Sequence, residues 1–517
     1  MEQLQQEADR LQQEMASTAA PSAGVDIPAD AEFHITLDKA RYGVDAGSSV
    51  SMHYTLPQAA TLEVVTKEGW SAVVNAAGDK EGDIVVTAPD PASSSDILVK
   101  AATADGASLA VNLPIMVRDP YSDATRTNVA AMAYYALPTS LATDYHFKKM
   151  ADAGFDMLSI EYWDNWQEQL DLAHKYGMKG VLFVNGPAGD YYRTGGTDPE
   201  LERVVNYAKQ HPALVAYQIC DEPSVVNVNQ FKYEAKAIKT FDPDHPIYLN
   251  FHPASASSAA TGVETYEEYI DTYVRECELE FITFDQYPIF TAGVDVTWTE
   301  SLTVVRKIGQ KYNIPFWAFT LCCREWFRED PTLENIRVQC NTNLAFGAQV
   351  NQFFVYRCTS GTDYAPLQTW GWADASHTTK VYYSDDEVQY TPIYDYCKAY
   401  NAEMHNRGYI FSGCNVKEVR TTHLPDPHIV KLLSMYDLPV QIESLITDHD
   451  ALVSIIENKG NEYVVIVNNS WTATNGVNAV FNDMVYAIDH DGAFTEVQPG
   501  AWNYTIEPGD MLVIKVK

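Results

Sequence analysis

Eight short apolar runs, each followed by an amphipathic stretch, fill residues 126 to 405. They are NVAAMAYYALP, FDMLSIEYW, KGVLFVNGP, LVAYQICDEP, PIYLNFHP, FITFDQYPIF, PFWAFTLCC and NQFFVYRC. Between them, stretches such as TDYHFKKMADAG, NWQEQLDLAHKYG, DPELERVVNYAKQH and WTESLTVVRKIGQKYN carry apolar residues at helical spacing. Strands buried on both faces read as continuous apolar runs. Eight of them alternating with helices over about 280 residues match the count and size of a (β/α)8 TIM barrel. A doubly wound open sheet is the rival, but no Gly-rich phosphate loop follows an early strand.

The flanks change period. Residues 31–118 alternate apolar and polar, as in EFHITLDKARYGVDAGSSVSMHYTL and GDIVVTAP, with Gly, Asp and Pro at the breaks. Six or seven short strands of this kind predict an Ig-like β-sandwich. Residues 411–517, with HIVKLLSMY, EYVVIVNN and EPGDMLVIKV, predict a C-terminal β-sandwich. The expected organisation is therefore multidomain: a helical tether and linker over 1–30, the Ig-like sandwich over 31–118, the barrel over 119–410 and the second sandwich over 411–517.

Charge narrows the partners. The chain has 35 Lys and Arg against 70 Asp and Glu, a formal net charge of −35. Such a surface repels nucleic acid and anionic membrane and suits neutral or cationic partners. No run of apolar residues is long enough to span a membrane. The eight cysteines show no C-x-x-C spacing and sit mostly in apolar segments, so free buried thiols are expected. No metal or nucleotide motif appears and no cofactor is expected. The tether, the acidity and the flanking sandwiches point to an exported protein (periplasmic, cell-surface or extracellular), held to the cell envelope as a lipoprotein whose signal lies outside this sequence.

In such barrels the active site lies at the C-terminal ends of the strands. The run ends supply Tyr134 and Tyr135; Glu161, Tyr162 and Trp163; Asn185; Asp221 and Glu222; Asn250 and His252; Asp285 and Tyr287; Trp317, with Arg324 and Glu325 beyond it; and Tyr356 with Arg357. Trp370 and Trp372 in QTWGWAD are further candidates to line the site or to fill a gap beneath the C-terminal domain. The rim is rich in carboxylates, aromatics and amides. Glycosidic bonds are cleaved by two carboxyl groups, one protonating the leaving oxygen and the other attacking or activating water. A carboxyl at the end of a strand in low dielectric is expected to have a raised pKa, which suits Glu222 to the acid role. The competing reading makes Glu222-Pro223 a helix start, with Pro at the first helical position.

The order AYQICDEPS, DPDHPIYLNFHP, FITFDQYPIF, PFWAFTLCC and LAFGAQVNQFFVYRC resembles the clan A glycoside hydrolases, most closely the beta-galactosidase-like barrels of bacterial polysaccharide utilisation. The resemblance implies that Asp221-Glu222 stands where the family has Asn-Glu, with Glu222 as acid/base, and that Tyr287 matches the aromatic after strand 6. It breaks at strand 7. The family's nucleophilic Glu should fall near Phe319 and Thr320, and the nearest carboxylate is Glu325. Asp285 or Glu161 are alternatives for holding a water. The expectation is a glycoside hydrolase acting on a neutral oligo- or polysaccharide. The alternative is a non-catalytic carbohydrate-binding protein on a degenerate barrel.

Overall fold

The computed structural model describes residues 33, 35–37, 42–44, 47–89, 95–117, 128–134, 137, 142–161, 165–290, 293–295, 297–323, 331–356, 392–423 and 430–516. The expected tether over 1–30 lies outside them.

Eight parallel strands follow one another around a ring: β1 (Ala130–Ala133), β2 (Met157–Glu161), β3 (Lys179–Phe183), β4 (Leu214–Asp221), β5 (Ile247–Phe251), β6 (Ile282–Phe284), β7 (Phe316–Leu321) and β8 (Val350–Phe354). Val350 to Phe353 of β8 pair with Ala130 to Ala133 of β1 and close the barrel. One apolar cluster, including Met132, Met157, Val181, Val215, Tyr248, Phe281, Trp317 and Val350, draws on every strand or its flank and on no helix, so it fills the lumen. The alternate residues, among them Leu158, Ile160, Leu182, Ile219, Leu249 and Phe284, pack outward against helix residues such as Phe147, Leu170 and Val204. Period-two alternation thus decides which side chains reach the axis.

The helices begin where the sequence supplies caps. The hydroxyls of Thr143, Thr265 and Thr332 accept the backbone N–H of His146, Glu268 and Asn335, satisfying donors that the first turn leaves orphaned. The structure corrects the reading in two places. Asn185-Gly186-Pro187 does not end strand 3 but opens a helix, Asn185–Arg193, where Pro187 is tolerated because first-turn N–H groups lack helical partners anyway. Strand 6 is short, and Ile289–Phe290 pairs separately with Gly293–Val294.

Between Thr36 and Val117, two four-stranded sheets enclose Met52, Ile84, Val86, Ile97, Val99 and Ile115. After the barrel, a seven-stranded and a three-stranded sheet enclose Val453, Val464, Ile466, Val477 and Leu512. This second sandwich is fixed to the barrel's outer helices. The Ser454 hydroxyl donates to the Ala345 carbonyl at 2.6 Å, Asn341 Nδ2 to the Gly509 carbonyl at 2.9 Å, and buried Arg407 to the Met511 carbonyl at 2.9 Å. The described cysteines are all free thiols. No helix among the described residues is long and apolar enough to cross a membrane.

Candidate active site

The ends of β4, β5 and β6 meet in register. Asp221 of β4 lies beside Asn250 of β5, which lies beside Thr283 of β6. Glu222 follows Asp221 directly, and His252 and Asp285 lie two residues beyond Asn250 and Thr283. Alternation turns Asn250, His252, Thr283 and Asp285 inward, because Tyr248 and Phe281 below them face the lumen; Glu222 is placed by its own turn.

Glu222 sits in an unusual backbone state. Its φ is +47°, left-handed for a residue with a side chain, which costs roughly 1–2 kcal/mol. Three hydrogen bonds hold it there. The Glu222 N–H donates to the Asn250 carbonyl at 2.9 Å, the Tyr269 hydroxyl to the Pro223 carbonyl at 2.7 Å, and the Tyr273 hydroxyl to the Ser224 carbonyl at 2.6 Å. Strain held in place by surrounding structure is a mark of functional positions. The helix-start reading does not hold, since regular structure begins only at Val225, with Ser224 as its cap.

The turn aims the carboxylate sideways. Glu222 Oε1 lies 3.1 Å from His252 Nδ1, with the Glu222 side chain 38% exposed and the imidazole 17%. Glu222 also hydrogen-bonds the Asp285 carboxyl. The His252 contact, opposed by desolvation and aided by Asp285, lowers the pKa of Glu222. This reverses the expectation of a raised pKa at Glu222, because the charged form has partners that a bare strand end would lack. The raised group is Asp285, pushed well above the ordinary carboxylate range by burial first and then by the charges of Glu222 and Asp221. Its Oδ1 is buried and meets no donor. An ionised carboxylate there would be uncompensated.

Beneath the pair runs a polar chain. Asn250 Nδ2 donates to Asp221 Oδ1 at 2.9 Å, the Thr283 hydroxyl lies 3.2 Å from Asn250 Oδ1, Gln352 Nε2 donates to Thr283 at 2.6 Å, and the Tyr248 hydroxyl donates to Gln352 Oε1 at 2.6 Å. Asp221 opens to solvent, and the atoms around it still raise its pKa, chiefly by desolvation, so it lies in a recess rather than on a convex surface. Sequence reasoning missed Thr283, Gln352 and Gln218; the signal was a polar residue at an inward position within an otherwise apolar run.

Other candidates fall elsewhere. Trp317 is completely buried in the lumen, stacked on Phe281 with centroids 4.3 Å apart, and cannot face a sugar. Tyr134 is also sealed inside, its hydroxyl taking Gln218 Nε2 at 3.1 Å. Tyr356 points outward into the helix layer against Phe155. These three were expected on the rim; their place in the alternation puts them below or behind it. Tyr287 does reach the mouth, half-buried, its ring 5.3 Å from that of Phe354. Asn185 is exposed at the start of its helix. Glu161 ends β2, four strands from β6 in a ring of eight, at the inward parity of Met157. On β7 the inward series Trp317, Phe319, Leu321 and Cys323 contains no carboxylate. Trp163, Glu325, Arg357, Trp370 and Trp372, with Tyr135, Tyr162 and Arg324, lie outside the described residues. Among the described residues, no group of three or more His, Cys, Asp or Glu side chains is arranged to hold a metal ion.

No family model matches the sequence, and no curated protein matches it. Solved structures similar to the chain include glycoside hydrolases. A family 39 glycoside hydrolase from Bacteroides cellulosilyticus WH2 is 10% identical, with 94% of this chain and 100% of that one covered and a TM-score of 0.48. A family 5 glycoside hydrolase from Bacteroides vulgatus ATCC 8482 is 12% identical, with 75% and 88% covered and a TM-score of 0.48. A β-glucuronidase from Ruminococcus gnavus is 13% identical, with 70% and 67% covered and a TM-score of 0.37. By its own strand order the chain has a closed parallel barrel of eight strands flanked by β-sandwich domains.

Proposed function

We propose that the protein is a glycoside hydrolase in which Glu222 exchanges a proton with the glycosidic oxygen. The observation that carries this reading is the strained, clamped placement of Glu222 at the barrel mouth, between His252 and Asp285, one oxygen of which is sealed from solvent. Sugar-cleaving chemistry requires a positioned carboxyl to protonate the leaving oxygen and a second carboxyl on the other side of the bond. Asp285 is not the opposing group: opposed carboxyls stand about 5–5.5 Å apart in retaining enzymes and about 6.5–9.5 Å in inverting ones, and a direct hydrogen bond leaves room for neither sugar nor water. Glu161, at the end of β2, is our choice for the second carboxylate, with Glu325 as the competitor. Asp221 offers an acceptor to a sugar hydroxyl, and Tyr287 an apolar face. Among the described residues no Lys or Arg pairs with Asp221, Glu222 or Asp285, so a neutral glycan suits the site better than an acidic one. An exported protein acting on environmental glycans fits the same reading.

The test is turnover of a panel of aryl glycosides and intact oligosaccharides by the wild type, Glu222→Gln, Glu161→Gln and Glu325→Gln. The reading stands if Glu222→Gln is nearly inert and one of the other two is comparably impaired. The lack of a carboxylate in the inward series of β7 favours a second reading, a carbohydrate-binding protein without bond cleavage. That reading predicts glycan affinity with no product released from an intact glycan.

A further inference from the structure

We propose that Asp285 is a positioning residue that stores the site's proton against Glu222, so that the two carboxyls act as one acid. This rests on the reading of Glu222 as the group that reaches the sugar. Asp285 lies behind Glu222, with one oxygen buried and without a donor, while the Glu222 side chain remains partly open. The groups facing the pair come from three elements: Asp221 from the end of β4, Tyr248 and His252 from β5, and Tyr266 and Tyr269 from the helix Tyr266–Glu276. Of these only the His252 imidazole can carry positive charge, and it contacts Glu222, not Asp285. The arrangement therefore favours charge on Glu222 and a proton on Asp285, and two carboxyls in contact hold one proton between them over a wide pH range.

The step balances simply. When sugar covers the mouth and expels water, the Asp285 O–H proton passes to Glu222. Glu222 delivers it to the glycosidic oxygen as the C–O bond breaks and its electron pair goes to that oxygen. The water that adds to the anomeric carbon returns one proton to the pair.

The test has a readout that does not need turnover. A protonated-acid carbonyl band in the infrared, distinct from that of Glu234, whose pKa burial raises to about 7 and whose band Glu234→Gln identifies, is expected in wild type followed from pH 4 to pH 9 to persist at pH 7 and to vanish in Asp285→Asn. Absence of that band from the wild type at pH 7, or its survival in Asp285→Asn, would overturn the proposal. In kinetics on an aryl glycoside that the wild type hydrolyses, Asp285→Asn is expected to lose at least tenfold in kcat at pH 7 with KM little changed. Its basic limb is expected to move to lower pH, and Asp285→Glu to recover part of the loss. If Glu222→Gln is inert while Asp285→Asn keeps the wild-type rate and pH profile, the store is refuted and the role of Glu222 survives. If Glu222→Gln retains full turnover, the underlying reading fails.

Discussion

Glu222 meets His252 at 3.1 Å across the ends of two adjacent barrel strands, and this contact, with Asp285 behind it, lowers the pKa of Glu222. The imidazole lowers the pKa of the carboxyl it touches, and burial raises that of its neighbour. Two carboxyls of one chemical class are thereby shifted in opposite directions, the way environment separates acid from base.

Replacing Glu222 by Gln keeps its shape and removes its proton chemistry. Loss of a positioned general acid typically costs 10²–10⁴-fold, and a fall in kcat of about that size is expected with the fold intact by circular dichroism. Turnover within a few-fold of wild type would remove Glu222 from the reaction.

The left-handed backbone at Glu222 has its own consequence. A side chain with a Cβ is strained there and glycine is not. Both Glu222→Ala and Glu222→Gly lose the His252 contact, so comparing them isolates the backbone. The glycine variant is expected to be more stable than the alanine variant by about 1 kcal/mol in urea denaturation. Equal midpoints would show that the turn is not strained.

Tyr269 and Tyr273 hold the carbonyls of Pro223 and Ser224. Changing either to Phe leaves a carbonyl unsatisfied at a cost of about 1–3 kcal/mol. Because those carbonyls follow Glu222 directly, kcat is expected to fall as well, most clearly in the double variant. A drop in melting temperature with unchanged kcat would mean that the turn holds its shape without them.

Trp317 supports the lumen and not the ligand. Trp317→Ala is expected to cost about 3–5 kcal/mol through the cavity it leaves between Phe281 and Tyr248. Trp317→Phe, milder in stability, is expected to leave glycan KM unchanged. A selective rise in KM for the Phe variant would contradict the buried placement.

Glu234 is 1% exposed, and burial raises its pKa from 4.5 to about 7 against the help of Gln230 and Arg193. With the folded value above the unfolded one, its favourable contribution is complete below pH 4.5 and is lost as pH rises through about 7. The full span corresponds to about 3 kcal/mol. Glu234→Gln, which cannot ionise, is expected to gain on the wild type in melting temperature between pH 5 and pH 8. A constant difference across that range would show that Glu234 does not titrate there.

The sequence by itself determined the barrel. Continuous apolar runs such as LVAYQIC and PFWAFTL can only be strands covered on both faces, and eight of them spaced by amphipathic helices close one ring. It also placed Asp221, Glu222, Asn250, His252 and Asp285 at the strand ends, since each ends or directly follows its run. Tertiary structure alone decided which rim candidates share the site and what charge they carry. Trp317 and Tyr134 look like rim aromatics until register places them within the lumen; Asn185 looks like a strand end until a helix begins there. The states of Glu222 and Asp285 depend on contacts between residues far apart in the chain, made by neighbouring strands and by a left-handed turn that no local pattern encodes. A carboxyl's pKa is a property of its surroundings, and those surroundings exist only once the ring has closed.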